Sequence, residues 1–98
     1  MPTAAQRLLS QAEQNGWSTT VDGDLTTTSA ITAWDAIKTL GYGANVAFSE
    51  SGARLGTALL TARAPSVVAD DTIVAYSGLL AKAVDKIIEA MLQPGSTA

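Results

Sequence analysis

Two short acidic clusters are the residues whose types and spacing come closest to a chemical motif. Asp22-Gly23-Asp24 sets two carboxylates across a turn, and Asp70-Asp71 sets two side by side. Paired carboxylates serve as oxygen ligands for a hard cation, or as an acid–base couple in which burial raises one pKa above the other. A calcium loop needs further acceptors at fixed steps and a late Glu, whereas Leu25 and the run Thr26-Thr27-Thr28 follow Asp24. The first cluster therefore reads as a solvated turn. The second reads as a solvated bend or as negative charge at a helix start. Ser51-Gly52, flanked by Glu50 and Arg54, offers a hydroxyl, but a serine nucleophile needs an activating base. The chain has no histidine and no cysteine, and no Ser-x-x-Lys occurs, so a hairpin turn is the expectation there. Gly41-Tyr42-Gly43 resembles a phosphate loop only in composition. Phosphate loops lead from a strand into a helix, and here a helix precedes the glycines.

Catalytic, cofactor-binding and metal-ligating residues are accordingly expected to be none, and the chain is expected not to be an enzyme. An enzyme using only carboxylates, hydroxyls or lysine is a distant third reading. It would require a deep pocket holding a buried acid beside Lys or Arg.

Composition narrows the remaining classes. Ninety-eight residues with 47% hydrophobic content make one small α+β domain able to bury a core. Aromatics are only 5%, so small and branched aliphatic side chains fill most of that core. The net charge is −3, and the six basic residues, Arg7, Lys38, Arg54, Arg63, Lys82 and Lys86, are scattered. No basic stripe exists to neutralise phosphates, so no nucleic-acid partner is expected. No apolar run approaches the roughly 20 residues that span a bilayer, and the N-terminus leads into an amphipathic pattern. The expectation is therefore a cytoplasmic protein with no membrane partner.

The elements that would carry these residues follow from period and punctuation. Thr3-Ala4-Ala5-Gln6 is a capping box, Ala5, Leu8, Leu9 and Ala12 repeat at helical spacing, and Gly16 supplies a left-handed stop. A first helix is predicted over 4–15, with Trp17 folding back onto it. Ser29 or Thr28 caps a second helix over 29–40, whose broad face is Ala30, Ile31, Ala33, Trp34, Ile37 and Leu40. Asp35 and Lys38 can pair across its outer side. Alternation then predicts a three-stranded antiparallel β-sheet over 45–49, 54–62 and 72–76, with 17–21 as a possible fourth edge strand. Gly56 marks a bulge or a close approach of another backbone. Helix three over 78–92, capped by Ser77, ends at Pro94-Gly95, and 93–98 is a flexible tail. An alternative starts that helix at Asp71 and absorbs 72–76. Helices two and three, packed on one sheet face, are expected to supply most of the core with Trp34, Phe48, Leu59, Val74, Leu80, Val84 and Ile87.

Helix three is apolar over more of its circumference than one buried stripe needs. Leu80, Val84, Ile87 and Met91 form the seam, and Leu79, Ala83, Ile88 and Leu92 widen it. Either the helix is buried on two sides within the monomer, or it offers one side to a partner. Leu79, Ala83, Ile88, Met91 and Leu92 are the candidate protein-interaction residues, and a homodimer through this helix is one form the contact can take.

Ile31-Thr32-Ala33-Trp34-Asp35-Ala36-Ile37, Val46-Ala47-Phe48, Arg54-Leu55-Gly56-Thr57-Ala58-Leu59-Leu60 and Thr72-Ile73-Val74-Ala75-Tyr76-Ser77-Gly78 together form a recognisable order. Over about residues 29–80 the chain resembles the small orphan accessory proteins encoded by bacteriophages of mycobacteria and other actinobacteria. These combine a Trp-containing helix, a strand, an Arg-Leu-Gly strand and a terminal helix. The resemblance implies a noncatalytic accessory protein that binds a host protein and modulates host physiology, in some cases inhibiting growth. The alternative it leaves open is a small structural or assembly component of a virion, acting as a homo-oligomer.

Overall fold

A computed structural model of the chain describes residues 3–40, 43–61 and 73–92, with side-chain surroundings through residue 90. The order of elements is α1 (Ala4–Gln14), β1 (Ser18–Val21), β2 (Leu25–Thr27), α2 (Ala30–Leu40), β3 (Ala44–Glu50), β4 (Ala53–Leu60), β5 (Ile73–Tyr76) and α3 (Leu80–Leu92). The α+β class is as expected. The sheet, however, has five strands in the order β2-β1-β3-β4-β5, and every pairing is antiparallel.

Both ends of α1 are built as the sequence specifies. The Gln6 amide donates to Thr3 Oγ1 at 3.2 Å, and the Thr3 amide donates to Gln6 Oε1 at 2.8 Å. At the other end Gly16 sits at φ 74°, and the Gly16 and Trp17 amides reach back to the carbonyls of Glu13 and Ala12. That pair of bonds is a Schellman motif, which satisfies carbonyls the helix leaves open. Trp17 is thereby aimed at the sheet. Its ring meets Phe48 edge-on at 6.5 Å, and its indole N–H donates to Glu50 at 3.1 Å.

The strand expected at 17–21 is present but is not an edge. β2 covers its outer side, with Val21 opposite Leu25 and Thr19 opposite Thr27. The Asp22-Gly23 turn makes this hairpin: Asp22 at φ 54° and Gly23 at φ 74° place both central residues in the left-handed region, and the Asp24 amide closes on the Val21 carbonyl. Three residues are too few to show a period, so β2 has no sequence signature of its own.

All three helices lie on one face of the sheet. α1 and α2 pack over β1, α2 reaches β2, and α3 lies over β4 and β5, with α1 touching both other helices. Glu13 of α1 accepts from the Ala30 amide at 2.6 Å, capping α2 from a neighbouring helix alongside the Ser29 hydroxyl. The core differs from expectation in its main contributor. α1 buries Ala4, Ala5, Leu8, Leu9 and Ala12, while α2 buries only Ala33 and Ile37. Phe48, Leu80, Val84 and Ile87 are in the core as expected. Trp34 only flanks it, Leu59 is half-buried, and Val74 is 50% exposed. The last two are corrections of register. Leu59 pairs with Asn45, which puts both on the uncovered face, while Ala58 and Leu60 point to the helices. A shift between Leu59 and Leu60 passes from Ala75 to Ile73 and leaves Val74 without an opposite residue.

Gly56 does both things its position suggested. The β3–β4 register shifts beside it, and a Cβ on it would collide with the Ser77 carbonyl oxygen and lie 3.1 Å from Leu80 Cβ. A Cβ on Gly78, at φ 75°, would in turn lie 2.5 Å from the Leu55 carbonyl oxygen and 3.1 Å from Gly56 Cα. Two facing glycines therefore let the chain leaving β5 run on along β4 at backbone contact. Ser77 is not the cap of α3. Its amide donates to the Thr57 carbonyl and its hydroxyl meets the Thr57 hydroxyl at 3.2 Å, so it prolongs β5 and the helix begins at Leu80.

Candidate functional site

The candidate site begins where β5 ends. Ser77 and Leu79 continue to pair along β4, through amide bonds to the carbonyls of Thr57 and Leu55. Gly78 then turns the chain up into α3. This geometry puts two large apolar side chains out on one sheet edge, Val74 at 50% exposure and Leu79 at 76%. Leu79 immediately precedes a 13-residue helix, where the first N–H groups have no intrahelical partners. Tyr76 ties the same strand to the helix above: its hydroxyl donates to Asp85 Oδ1 at 2.6 Å. That bond, some burial and the nearby charge of Asp85 together raise the phenol above its ordinary pKa of 10.0.

The five interaction residues expected on helix three do not share one environment. Leu79 stands in solvent, Ala83 is half-buried, and Ile88 is partly buried against the chain's own core. Ala83 and Ile88 are five residues apart, about 140° around the helix, so they face different neighbours. Met91 and Leu92 lie in the last turn of α3, outside the described side chains. Among the described side chains of that apolar surface, Leu79 alone stands out in solvent. Val74 joins it from β5, and Ile31 of α2 is a separate exposed residue at 75%.

The residues first considered for chemistry are dispersed. Asp22 and Asp24 flank Gly23 in the exposed β1–β2 turn. Ser51, at φ 51°, and Gly52, at φ 85°, form the two-residue turn between β3 and β4, consistent with the hairpin reading. Asp70, Asp71, Gly41 and Tyr42 lie outside the described residues, as does the tail 93–98. Among the described residues, no three His, Cys, Asp or Glu side chains are grouped to hold a metal ion, and no helix is long and apolar enough to cross a membrane. Asp35 and Lys38 pair at 3.3 Å on the exposed side of α2, a contact worth tenths of a kcal/mol.

One surface feature had no signal in the sequence, because its two walls come from opposite ends of the chain. It is an open groove between α1 and α3, lined in part by Arg7, Gln11, Gln14 and Lys86. The chain matches no known protein family, no curated protein and no solved structure.

Proposed function

We propose that this chain is a noncatalytic accessory protein of an actinobacterial phage, acting in the host cytoplasm by binding a host protein and altering host growth. The observation that carries this reading is the pair Val74 and Leu79 held out on the β5 edge. Exposed apolar side chains along an open sheet edge offer a partner an apolar contact, which supports the reading. The test is inducible expression in a mycobacterial host, comparing wild type with Leu79→Asp. Aspartate suits the start of α3, where negative charge meets the helix dipole, so the variant should melt as wild type does. Slowed growth that the substitution relieves supports the reading. Equal growth of induced wild type, variant and empty-vector cultures contradicts it.

A homo-oligomeric virion or assembly component is the second reading. β5 is the last strand of the described sheet, and an edge strand with exposed apolar side chains is suited to pairing with a second copy. Light scattering of the pure chain separates the two: a ring-sized particle favours assembly, and a monomer or dimer favours the accessory role.

A further inference from the structure

Between α1 and α3 runs an open groove of about 590 Å³. Arg7, Gln11 and Gln14 line one wall with Asn15 at its end, and Lys86 and Ile87 stand on the other. Two of the chain's six cations thus share one concavity, and no Asp or Glu lines it. Among the described residues neither cation is held by a carboxylate. Arg7 Nε is shut off from solvent and has no hydrogen-bond acceptor. An incoming carboxylate therefore meets only the solvent-facing part of the guanidinium, whose planar donors match a carboxylate's two oxygens.

The size and lining select the ligand. Arg7, Gln11 and Gln14 follow at i, i+4 and i+7 along one face, spanning about 10 Å at 1.5 Å per residue. That is the length of about three residues of extended peptide and several times that of a single phosphate. Glutamine amides both donate and accept, which is what a peptide backbone requires. We propose that the α1–α3 groove binds an acidic peptide segment of the partner, with one carboxylate held between Arg7 and Lys86 and the backbone met by Gln11 and Gln14. The assignment rests on the partner-binding function above and names the partner's chemistry. The net charge of −3 repels such a segment from the rest of the surface, so this local positive site also sets its register.

The probe is a blocked hexapeptide of alternating Ala and Glu, titrated into the isotope-labelled full chain and followed by NMR. An Ala-Gln hexapeptide and inorganic phosphate run in parallel. The Glu peptide should shift the Arg7 Nε–H and the Gln11 and Gln14 side-chain amide signals saturably, and the Gln peptide should not. Raising the salt should weaken binding severalfold. Arg7→Gln should weaken it about tenfold. Lys86→Gln, at an exposed position with no folding role, should weaken it to a lesser extent and keeps the test intact if Arg7→Gln fails to fold. Absence of saturable shifts overturns the assignment, as does phosphate displacing the peptide at equal concentration, which marks a small-anion site. A host protein recovered equally by wild type and Lys86→Gln overturns the groove and spares the Leu79 surface. Peptide binding with no host effect does the reverse.

Discussion

The two faces of the sheet share one backbone ladder and have opposite chemistry. Toward the helices point Val21, Val46, Phe48, Ala58 and Leu60, all buried. Away from them point Thr20, Thr26, Asn45, Ala47, Thr57, Leu59 and Ala75, mostly small or polar and half-buried to exposed. On that outer face the hydroxyls meet one another, Thr20 with Thr26 at 3.0 Å and Thr57 with Ser77 at 3.2 Å. The covered face provides stability by removing apolar area from water, whereas the open face keeps the sheet solvated with short side chains. The two proposed binding surfaces lie at the margins, where neither regime holds: the apolar β5 edge and the polar α1–α3 groove.

Substitutions on the two faces should separate sharply. Phe48→Ala removes the largest buried side chain and the ring Trp17 leans on, and should cost about 3–5 kcal/mol. That is a large share of the roughly 5–15 kcal/mol available to a domain of this size, so the midpoint of a urea melt should fall sharply. Gly56→Ala should cost about 3 kcal/mol, because the added methyl meets backbone at Ser77, and backbone cannot step aside as a side chain can. Thr20→Ala on the open face should stay within about 0.5 kcal/mol, despite sitting on the same ladder as Val21. A loss comparable to that of Phe48→Ala would mean the open face is structural too.

The smallest expected effect sharpens the tie between β5 and α3. Asp85 accepts from the Tyr76 hydroxyl, and so favours the protonated phenol in the folded state. The folded pKa lies above the unfolded one. The bond's stabilisation is thus complete below about pH 10 and fades as pH climbs through the raised folded value. Ultraviolet titration should show a tyrosine ionising late, and Asp85→Asn should bring it back toward 10.0. An unchanged midpoint would mean that the hydroxyl is not held by Asp85 in solution.

The sequence is legible where local chemistry decides structure. The Thr3–Gln6 box, the Gly16 stop and the alternation of Val46 and Phe48 each specify their element without help from distant residues. It is not legible where register decides. Leu59 and Leu60 are equally apolar neighbours, and only pairing with Asn45 and Ala44 tells which one faces in. β2 is three residues of Leu-Thr-Thr held by its neighbour β1, and Ser77 reads as a cap until Thr57 claims both its amide and its hydroxyl. Leu79 was visible as surplus apolar surface, whereas its isolation from Ile88 emerges only once α3 is laid on the sheet. The Arg7–Lys86 groove joins the first helix to the last, and no local pattern can announce such a meeting.

Affinity purification from expressing mycobacterial cells tests the central claim most directly, with wild type, Leu79→Asp and Thr20→Ala run side by side. One host protein should be held in near-equal amount by wild type and Thr20→Ala and be lost at least tenfold from Leu79→Asp, with all three chains folded. Equal recovery by all three, or no partner with any of them, would contradict the view that this protein acts through the apolar margin of its sheet.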